Sequence, residues 1–187
     1  MKKKYIYLIV CIILVILQVT HSAPSSNANI SNIPKDADYM CYVDFGRYSC
    51  SDRLYIYDVK KKKYIYSSRV QHGNGGKSTA FKPEFSNKPG SNCSSLGLYK
   101  VISLDRMNSN HMVECFRLRG LSSTNSNAES RGILVHPSFS LSLIPKFPGL
   151  VIPLTPESRG CFAVSILTMK KLKNCYKKGN IYIYAYK

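Results

Sequence analysis

Cys161 is the residue of this chain best placed for sulfur chemistry, in the run Pro156-Glu157-Ser158-Arg159-Gly160-Cys161-Phe162-Ala163-Val164-Ser165. It follows a glycine in a turn that leads into a helix. Gly160 permits dihedrals and close approaches that side chains forbid. Backbone N–H groups of such a turn can face the oxyanion formed when a carbonyl is attacked. A thiol becomes a good nucleophile when its pKa is lowered, and a neighbouring histidine supplies that. Beyond residue 22 only His72, His111 and His136 are present, so cysteine–histidine chemistry must draw on these. Residue types alone leave another reading open, a buried or disulfide-bonded Cys161, because free cysteine is among the most buried residue types.

Cys41, Cys50, Cys93, Cys115, Cys161 and Cys175 follow the N-terminal segment. Outside the cytoplasm an even count suggests disulfides, and six cysteines allow about fifteen pairings. None has C-x-x-C spacing, so no structural zinc is expected.

Export is expected from the start of the chain. Met1-Lys2-Lys3-Lys4 precedes an apolar run from Tyr5 to Val19, and small and polar residues follow. That is the order of a secretory signal peptide over residues 1–22. The run is shorter than the ~20 residues of a membrane-spanning helix. An N-terminal membrane anchor is the alternative if the signal stays uncleaved. Residues 23–38, rich in Ser, Asn and Pro, read as a flexible leader, and 39–187 as a single domain.

Residues 1–22 carry three lysines and no acid, so their removal lowers the formal charge from +17 to +14. Such charge favours polyanionic surroundings. An exported protein meets anionic cell-envelope polymers first. The lysines lack the aromatic interleaving of a nucleic-acid platform, so no nucleic acid partner is expected.

The elements that would position Cys161 are mostly strands. Leu54 to Val59 and Tyr64 to Val70 flank Lys60-Lys61-Lys62-Lys63 as a hairpin with a solvated turn. Leu96 to Leu104 and His111 to Leu118 form a second pair, and Ile133-Leu134-Val135 reads as a buried strand. Ile181 to Tyr186 alternates aliphatic and aromatic residues with period two. One helix is signalled. Ser165 caps it, Ile166, Met169, Leu172 and Cys175 or Tyr176 share a face, and Gly179 ends it.

These motifs, in this order, resemble the L,D-transpeptidase catalytic-domain family, in particular its YkuD-like murein branch. The resemblance runs from about Tyr42 to Tyr186. It is carried by Val70-Gln71-His72-Gly73-Asn74-Gly75-Gly76, Phe85-Ser86-Asn87 and Ser94-Ser95-Leu96-Gly97. Arg131-Gly132-Ile133-Leu134-Val135-His136 and Ser158-Arg159-Gly160-Cys161 complete it. The resemblance implies a mainly β, sandwich-like fold with a short helix after the catalytic cysteine. It implies that Cys161 attacks a peptidoglycan stem peptide, that His136 draws its proton, and that Ser158 and Gly160 shape the loop. The exported enzyme would act in the periplasm or cell envelope, with no metal or organic cofactor. Arg159, His72 and Arg131 are the substrate-side candidates. The chain departs from the family pattern at Arg159, Phe162 and Pro137. Two other functions stay open: a catalytically degenerate wall-binding module of the same fold, and a disulfide-stapled interaction protein.

Overall fold

The structure is a computed structural model that describes residues 33–107, 113–143 and 158–187. The expected signal peptide, most of the leader and His111 lie outside the described residues. The strands in chain order are β1 (Tyr39–Asp44), β2 (Leu54–Asp58), β3 (Lys63–Ser68), β4 (Val70–Gln71), β5 (Gly97–Met107), β6 (Val113–Gly120), β7 (Leu134–Pro137), β8 (Phe162–Val164) and β9 (Ile181–Tyr186). The helices are α1 (Phe139–Leu143) and α2 (Ile166–Tyr176).

Across the sheet the order is β3-β2-β1-β9-β5-β6-β7-β8-β4. Arg69 alone separates β3 from β4, yet these strands stand at opposite ends of that order. The sheet therefore curls until its two edges meet, giving the sheet-rich architecture expected.

Period-two alternation decides which residues fill the curl. Cys41, Val43, Ile56, Tyr99, Phe116, Val135, Phe162, Val164, Ile181 and Ile183 form the inner core. Tyr42, Tyr55, Tyr182 and Tyr186 pack together on the other face of β1, β2 and β9. The C-terminal tyrosines are thus packing residues.

The predicted helix is present, and the Ser165 hydroxyl accepts the Thr168 N–H at 3.2 Å. Its buried face starts later than the spacing suggested: Thr168, Met169, Leu172 and Cys175 are buried, while Ile166 is 50% exposed. At the first turn the Ile166 N–H donates to the Ser142 hydroxyl at 3.0 Å. The helix α1 was not foreseen.

The expected disulfides are absent: all six described cysteines are free. Cys41 and Cys175 pack in the inner core as small apolar side chains, the commonest fate of an unpaired cysteine. Cys161 is therefore an available thiol.

Candidate active site

The turn that carries Cys161 is pinned from three sides. Ser158 bridges Gly73, and the Asn74 N–H donates to the Ser158 carbonyl at 2.8 Å. The Ser158 hydroxyl donates to the Cys161 carbonyl at 2.7 Å, closing the turn on itself. The Ser94 hydroxyl donates to the Gly160 carbonyl at 3.1 Å. Gly160 has a φ of 107°, and a Cβ there would lie 2.7 Å from the Cys93 carbonyl oxygen. Both conformation and space thus require glycine.

Strands β7 and β8 run parallel, with His136 opposite Ala163 and Val135 opposite Phe162. Val135 and Phe162 point into the core, so alternation turns His136 to the other face of β7. Cys161 stands in the bend just before β8, its Sγ 3.4 Å from the nitrogen of Leu134, two residues before His136. Phe162, which departs from the family pattern, is 1% exposed and packs between Phe45 and Tyr99. It faces away from the thiol.

His136 is half-buried, with Nδ1 3.0 Å from the Pro137 carbonyl oxygen. A carbonyl only accepts, so Nδ1 carries the proton and Nε2 keeps a lone pair in the neutral ring. Pro137 serves through its carbonyl, which proline retains. No hydrogen bond joins His136 to Cys161 among the described residues. Catalytic hydrogen bonds often tighten only when substrate binds.

The thiol departs from expectation. Burial pushes Cys161 above the ordinary value; the Leu134 N–H, 3.4 Å from Sγ, and the Arg131 charge pull the other way without overcoming it. The resting group is a thiol, not a preformed thiolate.

The other candidates separate clearly. Arg131 donates to the carbonyls of Ser86 at 2.8 Å and Cys93 at 2.6 Å. Longer contacts reach Ser91 and Ser95 hydroxyls at 3.4 and 3.5 Å. Its fork is thus spent on the protein, bracing residues 86–95 beneath Gly160 instead of facing a substrate. Arg159 is exposed and has no hydrogen bond or ion pair among the described residues, so it is available to a ligand.

His72 lies where no stem peptide can touch it, at 0% exposure. Its Nδ1 stands 2.8 Å from Arg53 Nη2, and its Nε2 stands 2.9 Å from the Thr79 carbonyl oxygen. Burial, then the Arg53 charge, brings it down to about 4, so it is neutral at pH 7. Gly73, Gly75 and Gly76 follow it. Here they provide close packing: a Cβ on Gly73 would lie 2.8 Å from the Gly160 nitrogen.

Sequence reasoning missed Arg53 and Ser94. Arg53 sits at the entry to a strand, where an arginine reads as solvated. Ser94 was in view within the Ser94-Ser95-Leu96-Gly97 motif, but its tie to Gly160 is tertiary. Among the described residues, no three His, Cys, Asp or Glu side chains gather as a metal site.

The family model of the L,D-transpeptidase catalytic domain matches residues 15–186. No curated protein matches the sequence. Among solved structures, Bd1075 of Bdellovibrio bacteriovorus is similar at a TM-score of 0.51 and 20% identity, covering 88% of this chain and 53% of that one. Pgp2 of Campylobacter jejuni, described as a helical cell shape determining protein, is similar at a TM-score of 0.50 and 13% identity, covering 93% and 54%. The chain thus spans about half the length of these structures, and at such identities the likeness is one of fold.

Proposed function

This chain belongs to the L,D-transpeptidase catalytic domain family, and from that premise we propose that it is an exported cysteine acyltransferase acting on peptidoglycan stem peptides. Cys161 attacks the carbonyl of the third, diamino-acid residue of a tetrapeptide stem while its proton passes to His136 Nε2. The C–N bond to the terminal D-alanine breaks, and the imidazolium returns the proton to the leaving amine. The thioester is then taken by an amine of a neighbouring stem, giving a cross-link, or by water, giving a carboxypeptidase. Ser158 and Gly160 hold the turn through both steps. The single observation that carries this reading is the His136 tautomer: Nδ1 is held by the Pro137 carbonyl and Nε2 keeps its lone pair, on the strand beside the turn that bears an unpaired Cys161.

The remaining assignments belong to the same proposal. Arg159 grips a stem carboxylate, since guanidinium matches carboxylate geometry bidentately. The exposed lysines of the 60–63 turn and Lys170, Lys171, Lys177 and Lys178 suit anionic envelope polymers. Residues 1–22 direct export to the periplasm or cell envelope, or anchor the protein to the membrane if retained.

A second reading keeps the fold and loses turnover, leaving a wall-binding module. The raised Cys161 thiol and the missing His136–Cys161 hydrogen bond favour it. Incubating the protein with disaccharide-tetrapeptide fragments and weighing the products decides the matter. Loss of terminal alanine or formation of cross-linked dimers, both abolished in Cys161→Ala, is the expected result. Retention on wall material without any product would overturn the enzyme in favour of the module.

A further inference from the structure

His72 is absorbed by neither substrate binding nor proton transfer, yet the chain builds a buried polar site around it. Arg53, also 0% exposed, donates from Nε to the Val70 carbonyl at 2.8 Å and from Nη1 to the Arg47 carbonyl at 3.2 Å. Its guanidinium lies 5.0 Å from the Phe45 ring centroid. Its remaining arm meets His72. Guanidinium only donates, so Nδ1 accepts, and Nε2 must then be the donor to Thr79. A second ring proton would set two donors and two positive charges face to face.

The residue after His72 is tied to the turn that carries the nucleophile. The Gly73 N–H donates to the Ser94 hydroxyl at 2.9 Å, and that hydroxyl donates onward to the Gly160 carbonyl. Gly73 also pairs with Ser158. Two hydrogen bonds and one shared residue therefore connect the His72 backbone to the residue before Cys161. We propose that His72 is a positioning residue for the nucleophile turn, its neutral ring wedged between Arg53 and the Thr79 carbonyl so that Gly73 seats Ser158 to Gly160 and aims Cys161.

Among the described residues, few charged or titratable groups surround the ring. Arg53, at the entry to β2, faces it, and Asp44 and Cys50 act on Arg53. Phe45 lies edge-on to it at 6.2 Å. Acid therefore loosens the wedge through His72 itself.

This inference rests on Cys161 as the nucleophile, but its main test needs no turnover. In the whole protein, the ring signals of His72 and the amide signals of Gly73 and Gly160 are followed by NMR from pH 7 downward. The expected result is one shared midpoint near pH 4 for all three, while the amides of the 60–63 turn stay still. In His72→Asn the amide oxygen replaces Nδ1 and still accepts from Arg53 without titrating, so the step at Gly160 should vanish. Should wall fragments be turned over, His72→Asn lowers kcat about ten- to a hundredfold and leaves KM within about twofold, as misplacement of a reacting atom does. A Gly160 amide silent through the His72 titration would overturn the proposal. So would a spectrum that moves everywhere at once, which marks a strut of the whole fold, or a rise in KM alone, which marks a substrate contact. A protein that makes no product but shows the shared midpoint refutes the acyltransferase and leaves the wedge standing.

Discussion

His136 and His72 are the same side chain in two settings, and the settings assign the work. His136 is half-buried, with one nitrogen tied to the Pro137 carbonyl and no partner for the other among the described residues. His72 is wholly buried, with both nitrogens engaged by groups of opposite kind. One can exchange a proton with a neighbour, and the other can only lose its fit by gaining one. Hydrogen-bond partners, more than burial alone, separate a base from a wedge.

That contrast breaks if the two histidines trade phenotypes. His136→Ala should lower turnover by about 10² to 10⁴, the usual worth of a positioned base, with a melting free energy within about 0.5 kcal/mol of wild type. His72→Ala should do the reverse at the level of stability. It leaves a buried cationic donor unpaired and a gap beside Phe45, costing roughly 2–4 kcal/mol in urea melts. Unchanged stability in His72→Ala would remove the wedge from the comparison.

Acid sharpens it. The folded-state value of His72 lies below its unfolded one, so the unfolded chain binds the proton more readily. The stability His72 contributes is complete above pH 6.5 and is lost as pH falls toward about 4. Roughly 3 kcal/mol is at stake across that window, and a urea-midpoint series on wild type and His72→Asn would read it. Matching series would assign the acid loss elsewhere.

Arg159 and Arg131 repeat the contrast on a smaller scale, an idle guanidinium against a spent one. Arg159→Lys should weaken stem-peptide binding by about ten- to a hundredfold, since a charged bidentate contact is worth roughly 1.5–3 kcal/mol. Titrations that superimpose would make Arg159 a bystander. The smallest effect concerns the thiol. Alkylation of Cys161 should titrate above the ordinary midpoint of about 8.5, and His136→Ala should shift its rate by less than about twofold. A strongly acidified thiol in wild type would restore the preformed ion pair.

Much of this could be read before the fold was known, wherever the signal was local. The β2–β3 hairpin, the Ser165 cap and the alternation of β9 are short-range patterns, and they held. Cys161 and His136 were singled out through their motifs, and β7, which carries His136, pairs with β8, the strand that Cys161 leads into. The rest depended on contacts between distant residues. Nothing in Ser51-Asp52-Arg53-Leu54 reveals that Arg53 will be enclosed, because β4 and the Phe45 turn build the enclosure. The glycines after His72 do not reveal in the sequence that Gly73 gives clearance to Gly160. Disulfides were inferred from compartment and count, and neither reports where side chains point. Helix α1 is only five residues long, too short to repeat a helical period.

The central claim is that Cys161 carries the acyl group and His136 moves its proton. Mixing a tetrapeptide stem with wild type and with His136→Ala, followed by rapid quenching, intact mass and peptide mapping, tests both halves together. The account predicts an adduct on Cys161 with the mass of the stem lacking its terminal residue, forming about 10² to 10⁴ times more slowly in His136→Ala. Product released with no adduct on Cys161, or an adduct that forms equally fast in both proteins, would contradict it.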